Sequence, residues 1–311
     1  MGTAAALEKL IPVVLAFGGG VLLARRKVVP AETSKVFADY AFLFAVPCYL
    51  FGNIYASDLG ALFHWRGILG YATAAALAVL GVGLAARLYG GTGARGAALR
   101  IMASVQVNTA YFAVPVFITV FGTAAPVFPV LLFQVCVLSL VVITVMEFGR
   151  PGTGGRPLRA VAASLATPLV LSCNAGIVLN LLSVPLPGPL LDGFAFVGDS
   201  ASPVALFALG LHLGGLGLNL RGTTAEEAAI VAFKCLGFPL LTWAVCGGLF
   251  GVSGDWLAYL VLLAAMPTPQ NLFIFAQRYE VDVDLSAALV IKSSVAALLL
   301  LPLWLQWAAL V

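Results

Sequence analysis

Ten stretches of about 20 predominantly apolar residues follow one another along this chain, separated by short clusters of charge and glycine, and each stretch is long enough to cross a hydrocarbon core as a helix. They fall near 6–24, 34–54, 66–88, 97–121, 125–148, 157–183, 190–215, 225–250, 255–277 and 285–309. No hydrophilic segment is long enough to form a domain outside them. The predicted class is an all-α integral membrane protein with ten spans. The first stretch does not read as a cleavable leader, because Arg25-Arg26-Lys27 follows it rather than preceding it and no small-residue cleavage site is present.

A second pattern lies over the first. Pro12-Val-Val14-Leu15 with Gly20-Val21-Leu-Leu23 returns as Pro168-Leu-Val170-Leu171 with Gly176-Ile177-Val-Leu179. Pro47-Cys-Tyr-Leu50-Phe51 returns as Pro203-Val-Ala-Leu206-Phe207, and Pro115-Val-Phe-Ile118 returns as Pro269-Gln-Asn-Leu272. The first two pairs are separated by 156 positions and the third by 154. Internal duplication in so apolar a chain points to a transporter built from repeats. The predicted organisation is a first repeat over 1–148, a short cytoplasmic linker over 149–156 and a second repeat over 157–311.

Charge sets the orientation. The loops after the odd-numbered spans and their flanks hold Arg25, Arg26, Lys27, Lys35, Arg87, Arg95, Arg100, Arg150, Arg156, Arg159, Arg221 and Arg278, against Lys9 and Arg66 on the other side. Cytoplasmic loops carry the excess of Lys and Arg, so both termini are expected outside. Five spans per repeat is an odd number, which makes the two repeats inverted. Cytoplasmic loops also account for the net charge of +3 without a nucleic-acid partner. The chain is 62% hydrophobic and 9% charged, with a mean hydropathy of +1.07, outside the range of soluble domains.

Several chemistries find no support. Cys48, Cys136, Cys173, Cys235 and Cys246 all lie within apolar stretches and read as small core residues. His64 and His212 lack companions at metal-ligand spacing. The glycine-rich stretch 90–96 lacks the Lys-Ser/Thr ending of a phosphate loop. No catalytic dyad suggests an enzyme, no cofactor is implied, and no polar stripe suggests an ion channel.

The candidate chemistry therefore sits at membrane depth. Asn108 lies about 11 residues into the fourth span, roughly 16 Å at 1.5 Å per residue and so near the midplane. Pro115 follows it, and Pro267-Thr268-Pro269-Gln270-Asn271 lies at similar depth in the ninth span. Proline removes a backbone donor, so both spans are expected to break there, and broken helices in matching spans are a pointer to a transport site. The candidate substrate-binding set is Asn108, Tyr111, Pro115, Pro47, Tyr49, Pro267, Pro269, Gln270 and Asn271. Amide donors and half-helix N-termini favour an anion. Asp199, Lys234 and Lys292 are candidates for coupling to an ion, because an ionisable group in a span is costly without a role or a partner. A proton is the expected coupling ion, with sodium left open, since no cluster of carboxylates and hydroxyls forms an evident sodium site.

Phe44-Ala-Val-Pro47, Asn108-Thr with Pro115 and Phe121-Gly122, Asp199 with Pro203 and Leu206-Phe207, and Pro267-Thr-Pro-Gln-Asn271 with Phe275-Ala276 together resemble the auxin efflux carrier family. The likeness runs from the first span through the tenth. That family includes plant PIN-type carriers and bacterial carriers of malonate and similar anions; the short 149–156 linker is similar to the bacterial type. The resemblance implies two inverted five-helix repeats of the sodium/proton-antiporter or bile-acid-symporter type. Spans 1, 2, 6 and 7 would form a scaffold and spans 3–5 and 8–10 a transport domain, with spans 4 and 9 crossing. It also implies that Asn108 contacts the ligand and that Pro115 and Pro267 are the crossover prolines. The expectation is a secondary transporter of small mono- or dicarboxylates working by an elevator-like or rocking motion in a bacterial inner membrane, with a homodimer formed through the scaffold as one possible assembly. A sodium-coupled symporter of the bile-acid type is the alternative.

The topology can be tested directly. In a variant without native cysteines, Gly2→Cys should react with an impermeant thiol reagent added to intact cells and Gly155→Cys should not; equal labelling would overturn the ten-span inverted arrangement.

Overall fold

A computed structural model describes residues 11–59, 63–89, 92–148, 166, 168–215 and 222–310. The 149–156 linker lies outside the described residues, as do Lys9, Arg150, Arg156, Arg159, Arg221 and the side chain of Arg278. The described residues are helical, with no strand among them. Ala31–Ala56, Trp65–Leu88, Gly188–Gly215, Ala225–Leu249 and Val283–Ala308 are long and apolar enough to cross a membrane. Shorter apolar helices include Pro168–Leu181 and Gly254–Ala265. A helix of 12 residues such as Gly254–Ala265 rises only about 18 Å and ends inside a hydrocarbon core of about 30 Å.

The chain forms two compact units, and neither follows the sequence halves. The first comprises Met1–Phe63, Thr109–Pro129 and Ala166–Asn219; the second comprises His64–Asn108, Val130–Leu165 and Leu220–Val311. Each takes segments from before and after the linker.

In the first unit, Ile11–Arg25 packs on Ala201–Gly215 and Pro168–Leu181 packs on Val46–Ala56. Glycine makes both approaches possible. A Cβ on Gly20 would sit 2.3 Å from the Phe207 carbonyl oxygen, and one on Gly176 would sit 3.0 Å from that of Phe51. Gly20 and Gly176 are counterparts in the sequence duplication, as are Phe51 and Phe207, so the two contacts are reciprocal. Gly210 meets the Phe17 carbonyl oxygen even more closely, at 2.1 Å from its would-be Cβ. Small residues are what allow membrane helices to approach this near. The Asn180 amide caps the end of Val46–Ala56, donating to the carbonyls of Tyr55 at 2.7 Å and Ser57 at 2.9 Å.

The second unit has a matching regularity. Trp65–Tyr89 is followed by Ala94–Val105, and Ala225–Leu249 is followed by Gly254–Ala265. The members of each pair have equal lengths, 25 and 12 residues, and each pair is separated by 160 positions. Leu99, Met102 and Ala103 of Ala94–Val105 form a buried apolar core with Met146 of Ser139–Phe148, Leu272 and Ala276 of Asn271–Tyr279 and Leu289 of Val283–Ala308.

This register corrects the expected role of Pro115. The break after Ala94–Val105 falls at 106–108, where Gln106 is extended (ψ 151°), and it contains no proline. Pro115 instead lies within the first turn of the helix Val114–Phe121, whereas Pro267 and Pro269 lie in the second break itself. The 154-position match between Pro115 and Pro269 therefore joins structurally different places. Pro115 is accommodated by a wide π-helical turn, Thr109–Ala113, ending two residues before it. Ala41–Ala45 stands in the same relation to Pro47, and Phe233–Gly237 to Pro239. A proline ring clashes with the carbonyl four residues back; a wider turn moves that carbonyl aside, so the helix continues.

The close approach of Gly20 gives a stability prediction. Gly20→Ala should destabilise the protein by about 1–3 kcal/mol through overpacking, lowering the midpoint of thermal unfolding in detergent. Gly18→Ala on the same helix, where nothing lies within 4 Å of the added carbon, should leave it unchanged or raise it.

Candidate functional site

The two interrupted helices of the second unit end in backbone that has left the helix, and several of the freed groups have partners. Met266 precedes Pro267, and a residue before proline is pushed out of the helical region; its ψ is 151°. Gln106 takes the same conformation without a following proline. The first break is thus held from outside. The side-chain carbonyl of Gln134 accepts the Val107 N–H, and the Asn108 N–H donates to the Pro267 carbonyl at 2.9 Å. The second break has equivalent supports. Thr268 N–H donates to the Ser293 hydroxyl at 3.1 Å, and the Thr268 hydroxyl donates to the Ala103 carbonyl at 2.7 Å. Two of these bonds, Asn108 to Pro267 and Thr268 to Ala103, tie one break to the other.

Burial makes the arrangement consequential. Gln106, Asn108, Gln134, Thr268 and Ser293 are each no more than 5% exposed. An unmet polar group at such depth costs about 1–3 kcal/mol, and more in hydrocarbon. Gln106 also reaches the Ser139 hydroxyl, at 3.4 Å.

Lys234 belongs to this site. It is 0% exposed. Its ammonium donates to the Ala264 carbonyl at 3.1 Å and lies 5.0 Å from the centre of the Phe238 ring. Ala264 is in the last turn of Gly254–Ala265, where unpaired carbonyls carry partial negative charge, so a cation there complements the helix end.

The remaining predicted residues divide between the units. Pro267 and Pro269 are buried beside Asn108's break, Gln270 is half-buried, and Asn271 is exposed at the start of Asn271–Tyr279. Pro47, Tyr49, Tyr111, Pro115 and Asp199 belong to the first unit. There the Tyr49 hydroxyl donates to the Gly122 carbonyl at 3.0 Å. The Pro115 carbonyl accepts from the Thr119 and Ser202 hydroxyls at 2.8 and 2.9 Å. Tyr111 lies in the wide turn before Pro115, and its side chain is outside the described residues. Asp199 is exposed at the end of Gly188–Gly198.

Lys292, expected as a coupling candidate, is committed to an ion pair with Glu227, and both side chains are nearly buried, at 11% and 12% exposure. Arg100 was counted above only as a cytoplasmic flank. It is 6% exposed and pairs with Glu226 and, at 2.7 Å, with Asp282. These pairs fasten the start of Ala225–Ala232 and the residue before Val283–Ala308 to the helix that runs into the first break. A lone glutamine, Gln134, in the apolar 125–148 stretch was the signal for the backbone support, and Ser293 beside Lys292 was its counterpart.

A family model described as "Membrane transport protein" matches residues 5–162 and 158–305. The chain belongs to this family. It is the family to which the motif resemblance pointed, and its description is one of membrane transport. Among its relatives is a protein of Rhizobium meliloti (strain 1021) named "Putative malonate transporter", 33% identical over 127 residues, or 40% of this chain and 38% of that one. Another is an "Uncharacterized transporter" of Methanothermobacter thermautotrophicus (strain Delta H), 25% identical over 154 residues, or 49% of each chain. The matched segments thus span half or less of the length of these curated relatives.

Gln134→Leu tests the support of the first break. It leaves the Val107 N–H without its acceptor and should destabilise the protein by about 1–3 kcal/mol, while Gln134→Glu, which keeps an acceptor, should lose less. Equal unfolding midpoints for wild type and Gln134→Leu would show that the break is held by other means.

Proposed function

We propose that this transporter carries small organic anions, mono- or dicarboxylates, as a secondary carrier with its substrate site at the paired breaks around Asn108 and Pro267–Asn271. One observation carries the reading: two interrupted helices of equal length are bonded to each other at buried positions, by one backbone bond and one side-chain bond to backbone. Discontinuous helices are how membrane carriers present backbone and side-chain groups to a solute at mid-depth. The buried amide of Asn108, the amide of Gln270 and the N-terminus of Asn271–Tyr279 supply donors and partial positive charge suited to a carboxylate. The name of the Rhizobium meliloti relative agrees with this substrate class.

In this reading the ten helical stretches cross the membrane as two inverted repeats with both termini outside, in a bacterial inner membrane. The unit holding both breaks carries the solute by alternating access, and the unit containing Ile11–Arg25 and Pro168–Leu181 is the scaffold. The 160-position regularity and the reciprocal glycine contacts support the repeats. Coupling to protons would run through Asp199 or Lys234; Lys292, already paired with Glu227, is the weaker candidate.

Thermal-shift screening of purified protein against mono- and dicarboxylates, followed by proteoliposome uptake with and without a pH gradient, tests the reading. For the best substrate, Asn108→Ala should remove a charge-assisted bond of about 1.5–3 kcal/mol and weaken binding by about 10- to 100-fold. Asn108→Asp should be worse, since it sets a carboxylate against a carboxylate. Unchanged affinity in Asn108→Ala would place the site elsewhere.

A further inference from the structure

The second unit contains a cavity that the transport reading does not use. It measures about 650 Å³, within the range of small-molecule sites. Leu77 and Val82 of Trp65–Tyr89 form one wall, and Ile230, Phe233 and Leu241 form the other. Ser104 and Arg100 of Ala94–Val105 and Glu226 supply its polar groups.

Two features of those polar groups point to an occupant. The Ser104 residue is 1% exposed, and its hydroxyl has no hydrogen-bond partner among the described residues. Buried hydroxyls are ordinarily satisfied, so one lining a cavity without a partner is suited to a ligand. The two charged lining residues also differ in what they have to spare. The Arg100 guanidinium is committed to Glu226 and to Asp282, which lies outside the lining. Arg100 engages only Oε1 of Glu226, and a carboxylate has further acceptor sites on its second oxygen. That leaves spare acceptor capacity at one part of an otherwise apolar chamber.

We propose that this cavity binds an amphiphilic amine, with its ammonium held by Glu226 and the Ser104 hydroxyl and its apolar body between Trp65–Tyr89 and Ala225–Leu249. Arg100, already engaged by Glu226, Asp282 and the Gly96 carbonyl, is not free to meet a carboxylate head, so this ligand differs in class from the proposed transport substrate. A neutral lipid tail would use the apolar walls alone.

Three probes that share one chain separate these possibilities: decylamine, decanol and decanoate, each titrated against the full-length protein in neutral detergent and followed by native mass spectrometry. Wild type should show one saturable decylamine adduct, with decanol and decanoate binding at least ten-fold more weakly. Glu226→Gln and Ser104→Ala should each weaken the decylamine adduct several-fold. Ser104→Ala removes an unpartnered hydroxyl and should leave the unfolding midpoint unchanged or higher, so it decides the matter if Glu226→Gln does not fold. Decanol or decanoate binding as tightly as decylamine, or a decylamine adduct undiminished in Ser104→Ala, would overturn the proposal.

Discussion

A backbone that leaves the helix inside a bilayer must find hydrogen-bond partners within the protein, because hydrocarbon offers none. That requirement organises the second unit. Its two interrupted helices release amides and carbonyls at 106–108 and 266–270, and side chains from elsewhere in the unit are spent on them. Gln134 and Ser293 take the amides, while Thr268 and Lys234 meet the carbonyls of Ala103 and Ala264. Gln134, Thr268, Ser293 and Lys234 are better understood as supports for the breaks than as scattered exceptions in an apolar sequence.

The same constraint explains why proline acts in two ways. After Gly254–Ala265, Pro267 and Pro269 lie in the break, and the residue before each is steered away from helix. At Pro47, Pro115 and Pro239 a wide turn accommodates the ring and the helix continues. Proline alone therefore does not locate a break. The helix Ala94–Val105 is interrupted by Gln106-Val107-Asn108, which Gln134 and Pro267 meet in three dimensions.

Much was legible in the order of residues. Apolar stretches gave the helical membrane class, the motifs around Asn108 and Pro267 led to the family, and the repeated Pro-Gly and Pro-Leu-Phe segments mark positions that make reciprocal contacts at Gly20 and Gly176. The parts that were not legible depend on pairing at long range. Arg100 looked like one more cytoplasmic cation until Glu226 and Asp282 were placed beside it, and Lys292 looked available until Glu227 was. A linear pattern reports that a charge is deep in a span but not whether its countercharge is waiting there.

The reciprocal contacts of the first unit have a consequence for how the protein is made. Gly20 presses on Phe207, and Gly210 on Phe17, so each partner lies about 190 residues from the other. At synthesis rates of about 5–20 residues per second, Ile11–Arg25 enters the membrane roughly 10–40 s before its partner exists. Through that interval its glycine face has only lipid, or an insertion factor, to lie against. Assembly of this unit is therefore a late, post-insertion event. Slowing translation between the halves should lengthen the window in which the nascent protein is open to membrane proteases.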